Sequence, residues 1–236
     1  MRSEHGRWSN WGLFPEMPGT VWWPREAKDV QRLSSERQGL TPRGNGRSYG
    51  DASLGRRMVN GLELDEVFEL DAEKGVLRCS AGLLLDEVLL RIVPSGFFLP
   101  VSPGTRLVSI GGAIAGDIHG KNHHIDGSFS SFVDSILITT GDGRPVRCSR
   151  TVSPDLFWAT CGGMGLTGFI LEATFRLKRV TSAYISQRSI KCHDLDELFD
   201  RFEQHKDATY NVAWIDLMAG GRHQRSSVLL LGEHAE

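Results

Sequence analysis

Six side chains able to ligate a metal or to bind an anion crowd into ten residues of this chain: Asp117, His119, Lys121, His123, His124 and Asp126. Imidazole with carboxylate suits zinc or non-haem iron. That chemistry needs its ligands on one face, and the segment lacks the helical signature that would set His119 beside His123. The Lys121 ammonium in their midst favours an anionic ligand in a polar loop, and a metal enzyme using His119, His123 and Asp126 is the weaker reading. No metal is expected.

Glycine is the second chemical signal, at 27 of 236 residues, about 11% against a usual ~7%. The glycines gather at Thr41-Pro-Arg-Gly-Asn-Gly-Arg-Ser-Tyr-Gly-Asp51, from Pro103 to Gly127, and at Gly162-Gly-Met-Gly-Leu-Thr-Gly168. Successive backbone N–H groups freed of side chains converge on phosphate oxygens. Two such segments, one carrying Arg43 and Arg47 and the other Lys121, suit the two phosphates of a dinucleotide. Gly163 to Gly168 fits G-x-G-x-x-G, but a helix pattern precedes it and a strand pattern follows, the reverse of the dinucleotide-binding order. The segment from Gly116 to Asn122 fails as a nucleotide loop, because Ala115 stands where the first glycine belongs and Asn122 where magnesium needs a hydroxyl.

The elements that must position these segments follow from periodicity. Helix patterns run over Ala27–Gln38, Leu83–Ile92, Pro154–Thr160 and Leu195–His205. Strand patterns occupy Met58–Ala81 in short runs, Phe97–Val101, Ser135–Thr140, Val146–Cys148, Phe169–Leu177, Ala183–Ile190, Tyr210–Leu217 and Ser226–Leu231, with an Asp142-Gly143 hairpin turn. The tryptophan-rich lead-in (Trp8, Trp11, Trp22, Trp23) receives no element. Short strands, few helices and glycine-rich joints describe an α+β fold, not a doubly wound sheet. The pattern changes near Lys178, dividing the chain into residues 1–178 and an incomplete second domain at 179–236.

Composition removes other classes. With 27 basic against 29 acidic side chains the net charge is −2, without the basic excess of a nucleic-acid binder. No apolar run is long enough to span a bilayer, and Met1–Asn10 is too polar for a secretory signal. Cys79, Cys148, Cys161 and Cys192 are far apart, with no C-x-x-C pair, as expected of reduced thiols in a cytoplasmic protein.

Several strings together carry a resemblance: Pro42 to Asp51; Ser102-Pro-Gly-Thr-Arg106; Ile110-Gly-Gly-Ala-Ile-Ala115; Asp117-Ile-His-Gly-Lys-Asn-His-His124; and Leu156 to Thr160 with the glycines that follow. They resemble the FAD-linked oxidases of the vanillyl-alcohol-oxidase superfamily, and most of all its decaprenylphosphoryl-ribose oxidase branch, from about Trp11 to Asp216. The resemblance implies a two-subdomain α+β FAD-binding domain followed by the start of a substrate domain. It implies that Pro42, Arg43, Gly44, Asn45, Gly46, Arg47, Ser48, Tyr49, Gly50, Asp51 and Ala52 wrap the pyrophosphate and approach the flavin. Gly104, Ser109, Ile110, Gly111, Gly112, Gly116, Asp117, Ile118 and His119 complete the wall, and Ile170 contacts the adenine side. Arg47 stands where covalent relatives carry histidine, so the FAD is expected to be non-covalent. Tyr49, His119 and Lys121 are the catalytic candidates, and Trp11-Gly12 approaches them.

The activity implied is oxidation of a sugar hydroxyl, on a polyprenyl-phosphate sugar or another sugar alcohol. A separate NAD-dependent reductase would complete an epimerisation, and the lipid-linked substrate would bring a cytoplasmic protein to the membrane periphery. The resemblance stops about halfway through its relatives, whose further active-site residues lie beyond it, so a non-catalytic FAD-binding module is the alternative.

Overall fold

A computed structural model describes residues 1–36, 39–218 and 226–236. Strands β1 (Arg2–Trp8) and β2 (Met17–Trp23) form an antiparallel hairpin in which Trp8 faces Met17. The lead-in that received no element is thus a strand pair. In β2 the alternation of Val21 and Trp23 with Thr20 and Trp22 buries one face against Leu54 and Met58, as a period of two requires. Helix α1 (Ala27–Glu36) buries Val30 and Leu33, one turn apart; the rest of its expected span, Arg37 and Gln38, lies outside the described residues. Strands β3 (Thr41–Arg43) and β4 (Arg57–Asn60) complete a sheet of order β1-β2-β4-β3, with β2, β4 and β3 parallel.

The second unit is a five-stranded antiparallel sheet built from β5 (Val67–Asp71), β6 (Val76–Ser80), β8 (Val133–Thr139), β9 (Pro145–Ser149) and β10 (Phe169–Arg176), in the order β5-β6-β10-β8-β9. Helix α2 (Leu85–Ile92) buries Leu85, Val88 and Ile92 against it, each worth about 1.5–3 kcal/mol. The Glu87 carboxylate accepts the Leu84 N–H at 2.8 Å and fixes where α2 starts. Strand β7 (Phe97–Phe98), shorter than expected, pairs with β11 (Lys178–Arg179).

Two short helices went unread in the sequence, α3 (Ile110–Ala115) and α4 (His123–Asp126). Glycine depresses helical propensity, and both are too short for a periodic signal. Helix α5 (Pro154–Thr160) lies where expected. Strand β10 is the common wall. Ile170, Ala173 and Phe175 face the core shared with α2, α3 and α5, whereas Phe169 and Leu171 pack against Val30, Leu33 and Val59 of the first unit.

The last unit is a three-stranded antiparallel sheet, β12 (Ile185–Cys192), β14 (Ser227–His234) and β13 (Tyr210–Ile215) in that order, under helix α6 (Leu195–Gln204). Its small core is Cys192, Leu198, Leu229 and Leu231. Asp194 caps α6 by accepting the Glu197 N–H at 2.8 Å. Among the described residues no helix is long and apolar enough to cross a membrane.

Candidate functional site: a glycine cradle between two units

The three glycine clusters, distant in sequence, meet in space. The first follows β3 and lies across the start of α3. A Cβ on Gly44 would fall on the Ser109 hydroxyl, and Asn45 Nδ2 donates to Leu107 O at 2.9 Å. The third cluster closes behind α3, where Gly162 N donates to Ile114 O at 3.0 Å and Met164 N to Ala115 O at 2.9 Å. Gly165, at φ +82°, brings its backbone against Pro42, whose ring a Cβ there would meet at 3.4 Å. The near-dinucleotide fingerprint is therefore the joint between α5 and β10, as its inverted order implied.

Accounting for the backbone donors shows which amides stay open to a ligand. From Gly44 through Gly50, no backbone N–H finds an acceptor among the described residues. Buried polar groups are almost always paired, and Gly46 in this run is buried; consecutive unpaired amides are what a phosphate nest supplies. The α3 amides behave differently. Ile110 N donates to Leu83 O at 2.8 Å, Gly111 N to Ala81 O at 2.7 Å and Gly112 N to the capping Ser109 Oγ at 3.2 Å. Ile110, Gly111 and Gly112 thus have their backbone donors already used and offer none to a ligand, unlike the run from Gly44 to Gly50.

Arg43 also differs from expectation. Its guanidinium is turned inward, donating to Asn10 Oδ1 at 2.6 Å, Ser53 O at 3.2 Å and Ser9 O at 2.8 Å, and burial lowers its pKa. It ties the loop to the N-terminal segment instead of offering a free charge. Asn10, 3% exposed, completes the tie by donating to Gly50 O at 2.6 Å. Sequence reasoning missed Asn10, whose role depends on a partner 33 residues away. Arg47 and Lys121 are exposed, and their side chains have no partner among the described residues. Both are free cations on the glycine-rich loops.

Gly50 and Gly104 face open space, with nothing within 4 Å of a Cβ built on either, so both leave bare backbone for a flat ligand. Tyr49, 83% exposed, meets Trp11 edge to face at 5.3 Å between ring centroids. Trp11 N donates to Ser48 O at 3.2 Å, and Gly12 packs so closely on Tyr49 O that a Cβ there would meet it at 2.6 Å. His119 is exposed at the far wall, its ring 5.5 Å from that of His123. Asp117, in the left-handed region at φ +38°, accepts from Ser128 Oγ at 2.8 Å and Ser130 N at 2.9 Å, which fixes the turn carrying Ile118 and His119. Asp51 and Ala52 close the loop, with Leu54 N bonded to Asp51 O at 2.8 Å, and Gly116 ends α3.

A groove of about 140 Å³ runs beside Pro42, between Val59, Thr139, Gly165 and Phe169. Thr139 Oγ1 is buried beside it without a hydrogen-bond partner among the described residues. Ile170, the expected adenine contact, points its side chain away into the core at 7% exposure; only the backbone at Ile170 is left to serve a ligand.

A fold of this kind, with a run of unpaired amides, bare glycines and free cations on its glycine-rich loops, is suited to binding a phosphate-linked flat cofactor. The FAD binding domain family matches residues 18–149 of the chain. The chain belongs to that family, and FAD is its cofactor. It is 39% identical over 188 residues to a decaprenylphosphoryl-beta-D-ribose oxidase of Mycolicibacterium smegmatis, covering 77% of this chain and 41% of that protein. It is 38% identical over 145 residues to an uncharacterized protein in the mprA 5' region of Streptomyces coelicolor, covering 61% and 39%. It is 30% identical over 142 residues to the mitochondrial L-galactono-1,4-lactone dehydrogenase 2 of Oryza sativa, covering 60% and 24%. The chain spans about two-fifths or less of the length of these relatives.

Proposed function

We propose that this chain is the FAD-binding portion of an oxidoreductase that oxidises a hydroxyl of a polyprenyl-phosphate pentose. The unpaired amides from Gly44 to Gly50 carry the cofactor half of the reading, and the likeness to the mycobacterial oxidase supports the sugar half. The Gly44–Gly50 backbone and Arg47 would hold the pyrophosphate. Gly104, Gly112 and Ile118 would lie along the flavin, and the groove beside Pro42 would take the adenine, with Thr139 Oγ1 meeting one of its nitrogens. Arg47, where a tethering histidine is absent, leaves the cofactor held by non-covalent contacts.

When bound, FAD supplies an acceptor for the hydride of a carbon bearing a hydroxyl. The alcohol carbon becomes a ketone, two electrons leave it, and the hydroxyl proton passes to a base. Tyr49, His119 and Lys121 would be the groups that orient the sugar, with the Lys121 ammonium polarising its hydroxyl oxygen. A keto sugar leaving this site is a substrate for a separate NAD-dependent reductase, the pair effecting an epimerisation. A lipid-linked substrate draws the protein to a membrane surface. Residues 179–236 would help to cover the sugar.

Purified protein is expected to be yellow, to release its flavin on acid denaturation, and to reduce an artificial electron acceptor with a polyprenyl-phosphate pentose. His119→Ala should retain FAD and lose turnover. Colourless protein that takes up no FAD overturns the cofactor assignment. Bound FAD without turnover on any sugar or lactone establishes the alternative, a non-catalytic module.

A further inference from the structure

The loop that carries His119 and Lys121 does not hold its position alone. Strand β13 reaches across from the last unit and grips it. Asn211 N donates to Lys121 O at 3.0 Å, and the Asn211 side-chain amide lies 3.1 Å from His124 Nε2. The same nitrogen lies 3.0 Å from Ala208 O. A carbonyl only accepts, so Nε2 carries a proton, and the Asn211 amide then presents its oxygen, not its nitrogen, to the imidazole. From His124 a chain of edge-to-face rings runs along the loop, 5.9 Å to His123 and 5.5 Å from His123 to His119. A second tie holds the other end of the loop, where Lys178 Nζ approaches Asp126 at 3.7 Å and Asp126 accepts from Asn122 Nδ2 at 2.6 Å.

We propose that Asn211 is a positioning residue for sugar binding: it holds the His124 imidazole and the Lys121 backbone in place and, through the imidazole chain, sets the orientation of His119 at the cleft. The cofactor cradle and the sugar-facing wall are then built by different parts of the chain, and only the second depends on β13. This rests on the proposed function for the identity of the ligand, but the mechanical claim does not.

The test uses the whole chain with Asn211→Ala, Asn211→Asp, His124→Ala and His124→Gln. Side-chain imidazole NMR of the flavin-free protein is the first readout. Asn211→Ala should move the His119 and His124 signals, and Asn211→Asp, which keeps an accepting oxygen, should return them toward the parent. His124→Gln, whose amide N–H reaches the same carbonyl, should preserve the His119 signal that His124→Ala shifts. In the FAD-loaded protein, Asn211→Ala should leave FAD affinity within twofold while KM for the sugar rises about three- to tenfold, the scale of one hydrogen bond, with any fall in kcat smaller than that of His119→Ala. Imidazole signals in Asn211→Ala that superpose on those of the parent overturn the proposal, as does a loss of FAD affinity equal to the rise in KM. A parent protein that binds no FAD refutes the proposed function instead, and the imidazole arm still decides the role of Asn211.

Discussion

Gly44→Ala puts the convergence of the first two glycine clusters to a quantitative test. The added Cβ lands on Ser109 Oγ and lies 3.3 Å from Ser109 Cβ, and Ser109 cannot yield freely because its hydroxyl caps α3 by accepting the Gly112 N–H. Overpacking a fixed contact costs about 1–3 kcal/mol. Turning Ser109 away to relieve it forfeits the cap, about 1 kcal/mol more. Ser109→Ala alone loses only the cap. In the double variant the hydroxyl is gone and the remaining methyl contact is tight but tolerable, so the pair should be little worse than Ser109→Ala. Urea denaturation of the flavin-free proteins reads the four corners of this cycle. The expected coupling is about 1–3 kcal/mol, within the range for residues in contact. Effects that add to within about 0.5 kcal/mol would mean that the first glycine loop does not lie on the start of α3, and the cradle as described would fail with it.

Gly46→Val should abolish FAD uptake, because Gly46 sits at φ +61°, where a β-branched residue is strained, and its Cβ would meet Arg43 Nη2 at 2.5 Å; isothermal titration with FAD checks this, and retained affinity would exclude this loop. Thr139→Val should leave the flavin-free protein at least as stable as the parent, because its buried hydroxyl has no hydrogen-bond partner among the described residues, and should weaken FAD about threefold to tenfold if that hydroxyl serves the cofactor. Tyr210, pushed up to about 12 chiefly by burial, with Asp126 and Glu233 adding to it, keeps in the fold a proton that the unfolded chain releases from about pH 10. Its contribution to stability is fully present below pH 10 and is lost as pH rises through about 12. The alkaline fall of the urea midpoint should therefore be shallower in Tyr210→Phe, and identical pH profiles would place Tyr210 in solvent.

What the sequence disclosed, and what it concealed, divides along range of interaction. Gly163 to Gly168 could be placed at a helix-to-strand joint because local pattern alone decides it: Pro154 opens α5 and the alternation from Phe169 makes β10. The glycine-opened backbone of Gly44 to Gly50, on which the phosphate proposal rests, was legible for the same reason, since glycines spaced along a loop act within the loop itself. Which amides remain free was not legible. Gly111 and Gly112 look as available as Gly44 and Gly46 until Ala81 O and Ser109 Oγ take their protons. Arg43 reads as a phosphate cation until Ser9, Asn10 and Ser53 claim it. In each case a contact made only in the fold reverses the assignment of a residue whose type was read correctly. The histidine loop extends the point: its length and charge suggest a ligand, yet its geometry is set by Asn211, 87 residues beyond His124. A cofactor cradle built from local backbone is therefore readable before the fold is known, whereas a substrate wall assembled from two units becomes readable only with it.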